Sequence, residues 1–152
     1  ILARTDKDNI KHYFEGPKGW DSSVVKSSAE VGCIAIDAKD NAHFVFAGES
    51  LSYVWSEGGR KRTKSLADKV ILRSTQCLQL DAQGQPHLLY VALGKDEWVV
   101  TYSHRDEQGR WPTYEVFKSK TAILADSLSL ELVDNLPCAT FSDGQTLWYA
   151  RP

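Results

Sequence analysis

Apolar residues alternate with polar ones in short runs, and the runs recur. Cys33-Ile34-Ala35-Ile36-Asp37, Cys77-Leu78-Gln79-Leu80-Asp81 and Ser127-Leu128-Ser129-Leu130-Glu131 each have a period of two and each close on a carboxylate. Cys33 and Cys77 lie 44 residues apart, and Ser127 follows 50 further on. After each run comes a turn: Ala38-Lys39-Asp40-Asn41, Ala82-Gln83-Gly84-Gln85 and Val133-Asp134-Asn135. Asn, Asp and Gly supply the backbone conformations that tight hairpins need. A second strand follows in every copy, Ala42–Phe46, Pro86–Tyr90 and Pro137–Phe141, with Pro86 and Pro137 at a first position where a missing N–H is tolerated. A third strand carries a tyrosine in register, at Tyr53, Tyr102 and Tyr149. A fourth, less regular, includes Ser65-Leu66 and Glu115–Phe117.

The N-terminus fits the same frame. Asn9–Phe14 matches the third strand, Gly16–Trp20 the turn after it and Ser23–Val25 the fourth strand, with Ile1–Thr5 as the remnant of a second. Four antiparallel strands per 40 to 50 residues is the pattern of a β-propeller blade. The expectation is an all-β chain, a partial β-propeller of four-stranded antiparallel blades, about three and a half of them. The approximate blades are 1–26 (partial), 27–68, 69–118 and 119–152 (partial), forming a single segment over 1–152. Lys118–Leu132 also reads as a short amphipathic helix, but alignment with the other copies favours a strand at Ser127–Glu131.

The repeat unit, strand–Asp–turn–Pro/Ala-His–strand–turn–Leu-x-Tyr–Gly-x-Trp, resembles the repeats of sialidase-like (BNR-type) propellers and related lectin propellers. The segment from Cys77 to His87, with Tyr102 and Trp111, carries the likeness best. Ile10–Trp20 is similar to repeats of fucose-binding propeller lectins. The Asp-box of sialidases, Ser-x-Asp-x-Gly-x-Thr-Trp, is absent, and Ser142–Trp148 only echoes it. The resemblance implies recognition of carbohydrate or protein at a rim, and it tilts the expected location towards the extracellular or cell-surface side.

Composition narrows the chemistry. At 152 residues and net charge −2 the chain is one domain long and lacks the basic bulk of a nucleic-acid binder. Its longest apolar run, Leu88–Leu93, is far too short to span a membrane. It begins at Ile1 and contains no Met, which reads as a processed product, a trimmed chain or a fragment. Cys33, Cys77 and Cys138 have no metal-like spacing and read as buried reduced thiols. No metal site or cofactor is expected.

Asp37, Asp81 and Glu131 recur as strand-end turn residues rather than paired catalytic acids. His43 and His87 share one register, where Cys138 stands in the last copy; equivalent blade positions spread around a ring, so these read as structural. His12 and His104 fall outside that register and read as surface groups. The ligand-binding candidates are Trp20, Trp55 and Trp111, whose rings can stack on sugars, together with Arg60 and Arg62. The two arginines belong to the basic run Arg60–Lys64, placed in a loop after Gly58-Gly59.

No phosphate loop, zinc helix or nucleophile elbow is present, so catalytic residues are assigned to none. The leading reading is a noncatalytic recognition or scaffold module. A second copy, or the remainder of a parent chain, would complete the ring. The alternatives are a fragment of a sialidase-like glycoside hydrolase, which by resemblance would need three Arg, a Tyr–Glu pair and an Asp, and a structural interdomain platform.

Overall fold

The computed structural model describes residues 2–4, 9–27, 31–48, 50–57 and 60–152. Among the described residues the chain is all-β, with no helix. The first sheet has order β1 (Leu2–Arg4), β2 (Asn9–Gly16), β3 (Gly19–Ser27). The second runs β4 (Val31–Ile36), β5 (Ala42–Ala47), β6 (Ser50–Glu57), β7 (Arg60–Asp68).

The third sheet contains β8 (Val70–Ile71), β9 (Leu78–Leu80), β10 (Pro86–Leu93), β11 (Trp98–His104) and β12 (Thr113–Ser119). Here β8 and β9 pair with opposite halves of β10, so they act as one edge strand interrupted at 72–77. The fourth sheet is β13 (Ser129–Val133), β14 (Leu136–Ser142), β15 (Leu147–Ala150). All strand pairs within the sheets are antiparallel.

The recurring tyrosine holds one register. Val45 opposes Tyr53, Leu89 opposes Tyr102 and Thr140 opposes Tyr149, in each case two residues after His43, His87 or Cys138. Because alternate side chains point to opposite faces, this places the tyrosine and its strand partner on the same face of each sheet.

In the second and third sheets this face meets the sheet that follows, and the opposite face of the second meets the first. The first sheet packs Ile10 and Val25 against Phe44, Phe46 and Val54 of the second. Tyr53 of the second meets Trp111 of the third edge-on at 5.0 Å. Phe117 of the third lies 5.3 Å from Phe141 and 4.7 Å from Trp148 of the fourth. First strands of neighbouring sheets also touch, through a parallel bridge between Gln76 and Ser129 and a bond from Leu130 N–H to Gln76 C=O at 2.9 Å.

Several expectations are corrected. Arg60–Lys64 lies in strand β7 rather than in a loop, because pairing with β6 supplies the order its charged sequence does not advertise. Gly58 and Gly59 lie outside the described residues, as do Ile1 and Thr5. Glu131 does not end its strand: it opposes Cys138, and the turn comes later at Asp134-Asn135, both at positive φ in a two-residue hairpin. Of the three thiols, Cys33 and Cys77 are buried but Cys138 is only partly so. Lys118–Leu132 forms no helix; β12 reaches Ser119 and β13 starts at Ser129.

Within the second sheet Gly32 on β4 lies directly opposite Phe46 on β5. A Cβ there would come within 2.6 Å of two ring carbons of Phe46, which is itself 1% exposed and has nowhere to go. Gly32→Ala should therefore lower stability by about 1–3 kcal/mol through overpacking, measured by chemical denaturation; an unchanged midpoint would mean that the second sheet has slack at this point.

Candidate functional site

In an antiparallel sheet the first and third hairpin connections fall at one end. That end gathers the turns at 37–41, 81–85, 105–110 and 134–135 into a common rim. Neighbouring turns touch: Ala82 N–H donates to Asn135 Oδ1 at 3.4 Å. Three turns share a design in which the leading Asp accepts backbone N–H bonds and the residue three positions on has positive φ. Asp37 Oδ1 accepts from Lys39 and Asn41, Asp81 Oδ1 from Gln83 and Gln85, and Asp106 Oδ1 from Arg110. The positive-φ residues are Asp40, Gly84 and Gly109. The echo at Ser142–Trp148 is a related turn, with Asp143 Oδ1 accepting from Gln145 and Thr146 and Oδ2 facing Trp148 Nε1 at 3.4 Å.

Behind two of these turns sits a buried relay. His43 Nδ1 meets Tyr53 Oη at 2.5 Å, and its Nε2 faces Asp37 Oδ2 at 3.5 Å. In the next sheet His87 Nδ1 meets Tyr102 Oη at 2.6 Å, and Nε2 faces Asp81 Oδ2 at 3.4 Å. A carboxylate beside Nε2 favours the tautomer protonated there, so each tyrosine O–H donates to Nδ1. Burial holds both histidines below their ordinary value of 6.5, against the pull of their aspartates. Burial pushes the Tyr102 hydroxyl up to about 12, and Tyr53 is raised further. Bonds from the Asn41 side chain and backbone hold Asp37 far below the usual carboxylate range. In the fourth sheet the same register pairs Tyr149 O–H with Cys138 Sγ at 3.5 Å.

Two histidines read as surface groups are not. His104 is half-buried, stacked near His87, Tyr102 and Tyr114, and its Nδ1 is buried without a hydrogen-bond partner. His12 packs its ring on Phe44 across the first interface. Cys33 and Cys77 donate to carbonyls of the sheet that follows, Ser74 at 3.3 Å and Leu128 at 3.9 Å. The neighbouring Cys33 thiol and burial push the Cys77 thiol up.

The candidate ligand residues divide. Trp55 and Trp111 come together around Tyr53, half-buried between the second and third sheets. Arg62 opposes Trp55 across β6–β7 and pairs with Glu57 at 3.3 Å. Arg60 is exposed at the start of the same strand. Trp20 belongs to the first sheet, 67% exposed, outside this cluster.

The residue that sequence reasoning missed is Arg105, whose guanidinium carbon lies 5.5 Å from the Trp55 ring centroid. A separate cleft of about 540 Å³ opens between the third and fourth sheets, lined by Tyr102, His104, Tyr114, Glu115 and Arg151 among others. Among the described residues no cluster of three or more His, Cys, Asp or Glu could hold a metal ion, and no helix is long and apolar enough to cross a membrane. Comparison with protein-family models and with curated proteins finds no match.

The relay fixes a pH dependence. The folded pKa values of His43 and His87 lie below the unfolded value, so the unfolded chain takes up protons first as pH falls. Stability is full above about 6.5 and declines as pH drops below it towards the folded values. Thermal unfolding between about pH 7 and 5 should show this loss. The double variant His43→Gln/His87→Gln should flatten that slope while keeping the steeper loss below about 4 expected from Asp37. A flat profile in the native protein would show that folding leaves both histidines unshifted, and stability rising as pH falls would show them charged in the fold.

Proposed function

We propose that this chain is a noncatalytic recognition module: an arc of propeller-type blades, approximately 1–26, 27–68, 69–118 and 119–152, that reads carbohydrate or protein with one rim. In this reading Trp55, Trp111, Arg60 and Arg62 contribute to contact at the rim, Trp20 is a separate candidate contact on the first sheet, and a second copy or the remainder of a longer parent completes the ring. The likeness to sialidase-like and lectin-type propeller repeats belongs to the same proposal.

One observation carries it. The tyrosine-bearing faces of the second and third sheets are covered by the sheet that follows. The same face of the fourth sheet is bare, with Leu147 76%, Tyr149 62%, Leu136 56% and Val133 53% exposed. A hollow of about 310 Å³ lies on it, lined by Val133, Leu136, Cys138 and Tyr149. At the far end of the array the outer face of the first sheet exposes Trp20 and Val24. Contiguous exposed apolar surface of this kind marks an interaction face, and the matching register makes another sheet of the same type its natural cover. The aspartates behind the rim support a noncatalytic reading, since their oxygens are taken up by turn N–H groups and histidine rather than left facing a ligand.

Light scattering should give a mass above 17.0 kDa, and Tyr149→Glu combined with Leu147→Lys should return the chain to monomer. A cooperatively unfolding native monomer that binds no apolar dye overturns ring completion. On a glycan array, binding that falls on Trp55→Ala and Trp111→Ala supports the rim reading; an array without binding removes carbohydrate from it and leaves protein.

A further inference from the structure

Resting on the recognition reading above, we propose that the Trp55–Arg105 stack is an oxyanion-catching site, so that the saccharide read at this rim carries sulfate or carboxylate groups. Arg105 is half-buried at the junction of the second and third sheets, with its guanidinium over the Trp55 indole and beside Gly109. Among the described residues no carboxylate lies within ion-pairing distance of it. The carboxylates of the neighbourhood are engaged elsewhere: Glu57 with Arg62, Asp106 with Arg110 at 2.6 Å, and Asp37 with its own turn. Its charge is felt inside the fold, where it opposes protonation of His43 and favours ionisation of Tyr53.

A partly buried cation with no ion-pair partner among the described residues is unusual, because desolvated charge is ordinarily matched by an opposite one. The geometry explains how it is held: stacking on an indole suits a guanidinium, whose plane lies on the ring while its edge N–H groups stay free. Those edge donors match the two oxygens of a carboxylate or sulfate in a bidentate pair. Arg62, on the same face as Trp55 and exposed although paired with Glu57, adds a second cation, and Trp111 adds a second ring within the cluster. Aromatic surface beside an unmatched guanidinium fits an anionic sugar better than a neutral one.

Titration followed by tryptophan fluorescence tests this with three probes of matched length: dextran sulfate for sulfate, oligogalacturonate for carboxylate and plain dextran as the neutral control. At least one charged probe should bind tenfold or more tightly than dextran. Arg105→Gln should abolish that preference and Arg105→Lys should keep part of it, the lysine variant also serving as the folded control because it retains the charge. Equal binding of all three probes with no effect of Arg105→Gln overturns the oxyanion site while leaving saccharide recognition intact. Binding of none of them overturns both for saccharides. Equally tight binding of a single-stranded oligonucleotide, lost with the rest on adding salt, reduces the effect to general polyanion attraction and also overturns the site.

Discussion

The covering of one sheet face by the next sheet is the constraint on which everything else here depends. A two-faced apolar sheet in water is unstable alone, and stacking removes one face per neighbour. The residues that do this are large and fully buried: Phe46 in the first interface, Tyr53 in the second and Phe141 in the third. Each contributes about 1.5–3 kcal/mol on leaving water. Register makes the stacking repeatable. Because the tyrosine opposes the residue two positions after its His or Cys partner in three sheets, those three sheets offer the same face at the same height. The parallel contact between the first strands, with thiols bonded to the next sheet's carbonyls, locks the inner edge in step.

That constraint explains how the repeat diverges. Where the tyrosine face is covered, the partner is a histidine held neutral by burial and anchored by an aspartate from the adjacent turn. In the fourth sheet, where the face is bare, Cys138 replaces the histidine and Glu131 has moved into the strand. A buried imidazole needs both of its nitrogens placed; a half-exposed thiol has no such demand. The relay therefore accompanies the two covered interfaces, where it engages the Asp37 and Asp81 oxygens that the turn N–H groups leave over.

Much of this was legible in the sequence because strand periodicity and hairpin chemistry are local. The runs ending at Asp37 and Asp81, their turns, the following strands and the in-register tyrosines all stand where alternation and turn residues put them. What was not legible depended on neighbours. Strand β7 has no apolar alternation over Arg60–Lys64 and exists because β6 pairs with it. The pair Val70-Ile71 is too short to announce a strand. His104 looked like a surface residue because its burial comes from rings on three strands. At the site, Trp55, Trp111 and Arg62 could be named from residue type alone, but Arg105 follows a strand in an ordinary polar segment, and only the packing of two sheets lays it on Trp55.

The charged strand β7 connects the architecture to the site. It is the outer edge of its sheet, nine residues long, and an apolar edge of that length would recruit other chains. Arginine and lysine prevent this, and alternation sends them to both faces. Lys61 turns towards the first sheet, where its ammonium donates to Val24 C=O at 2.8 Å, while Arg62 turns with Trp55 towards the third. One of the residues that protect the edge, Arg62, thus lies across the strand pair from the ring on which Arg105 stacks. A protective charge could be of either sign; the cations found here put Arg62 on the Trp55 side of the strand, the side on which Arg105 of the third sheet stacks over the indole.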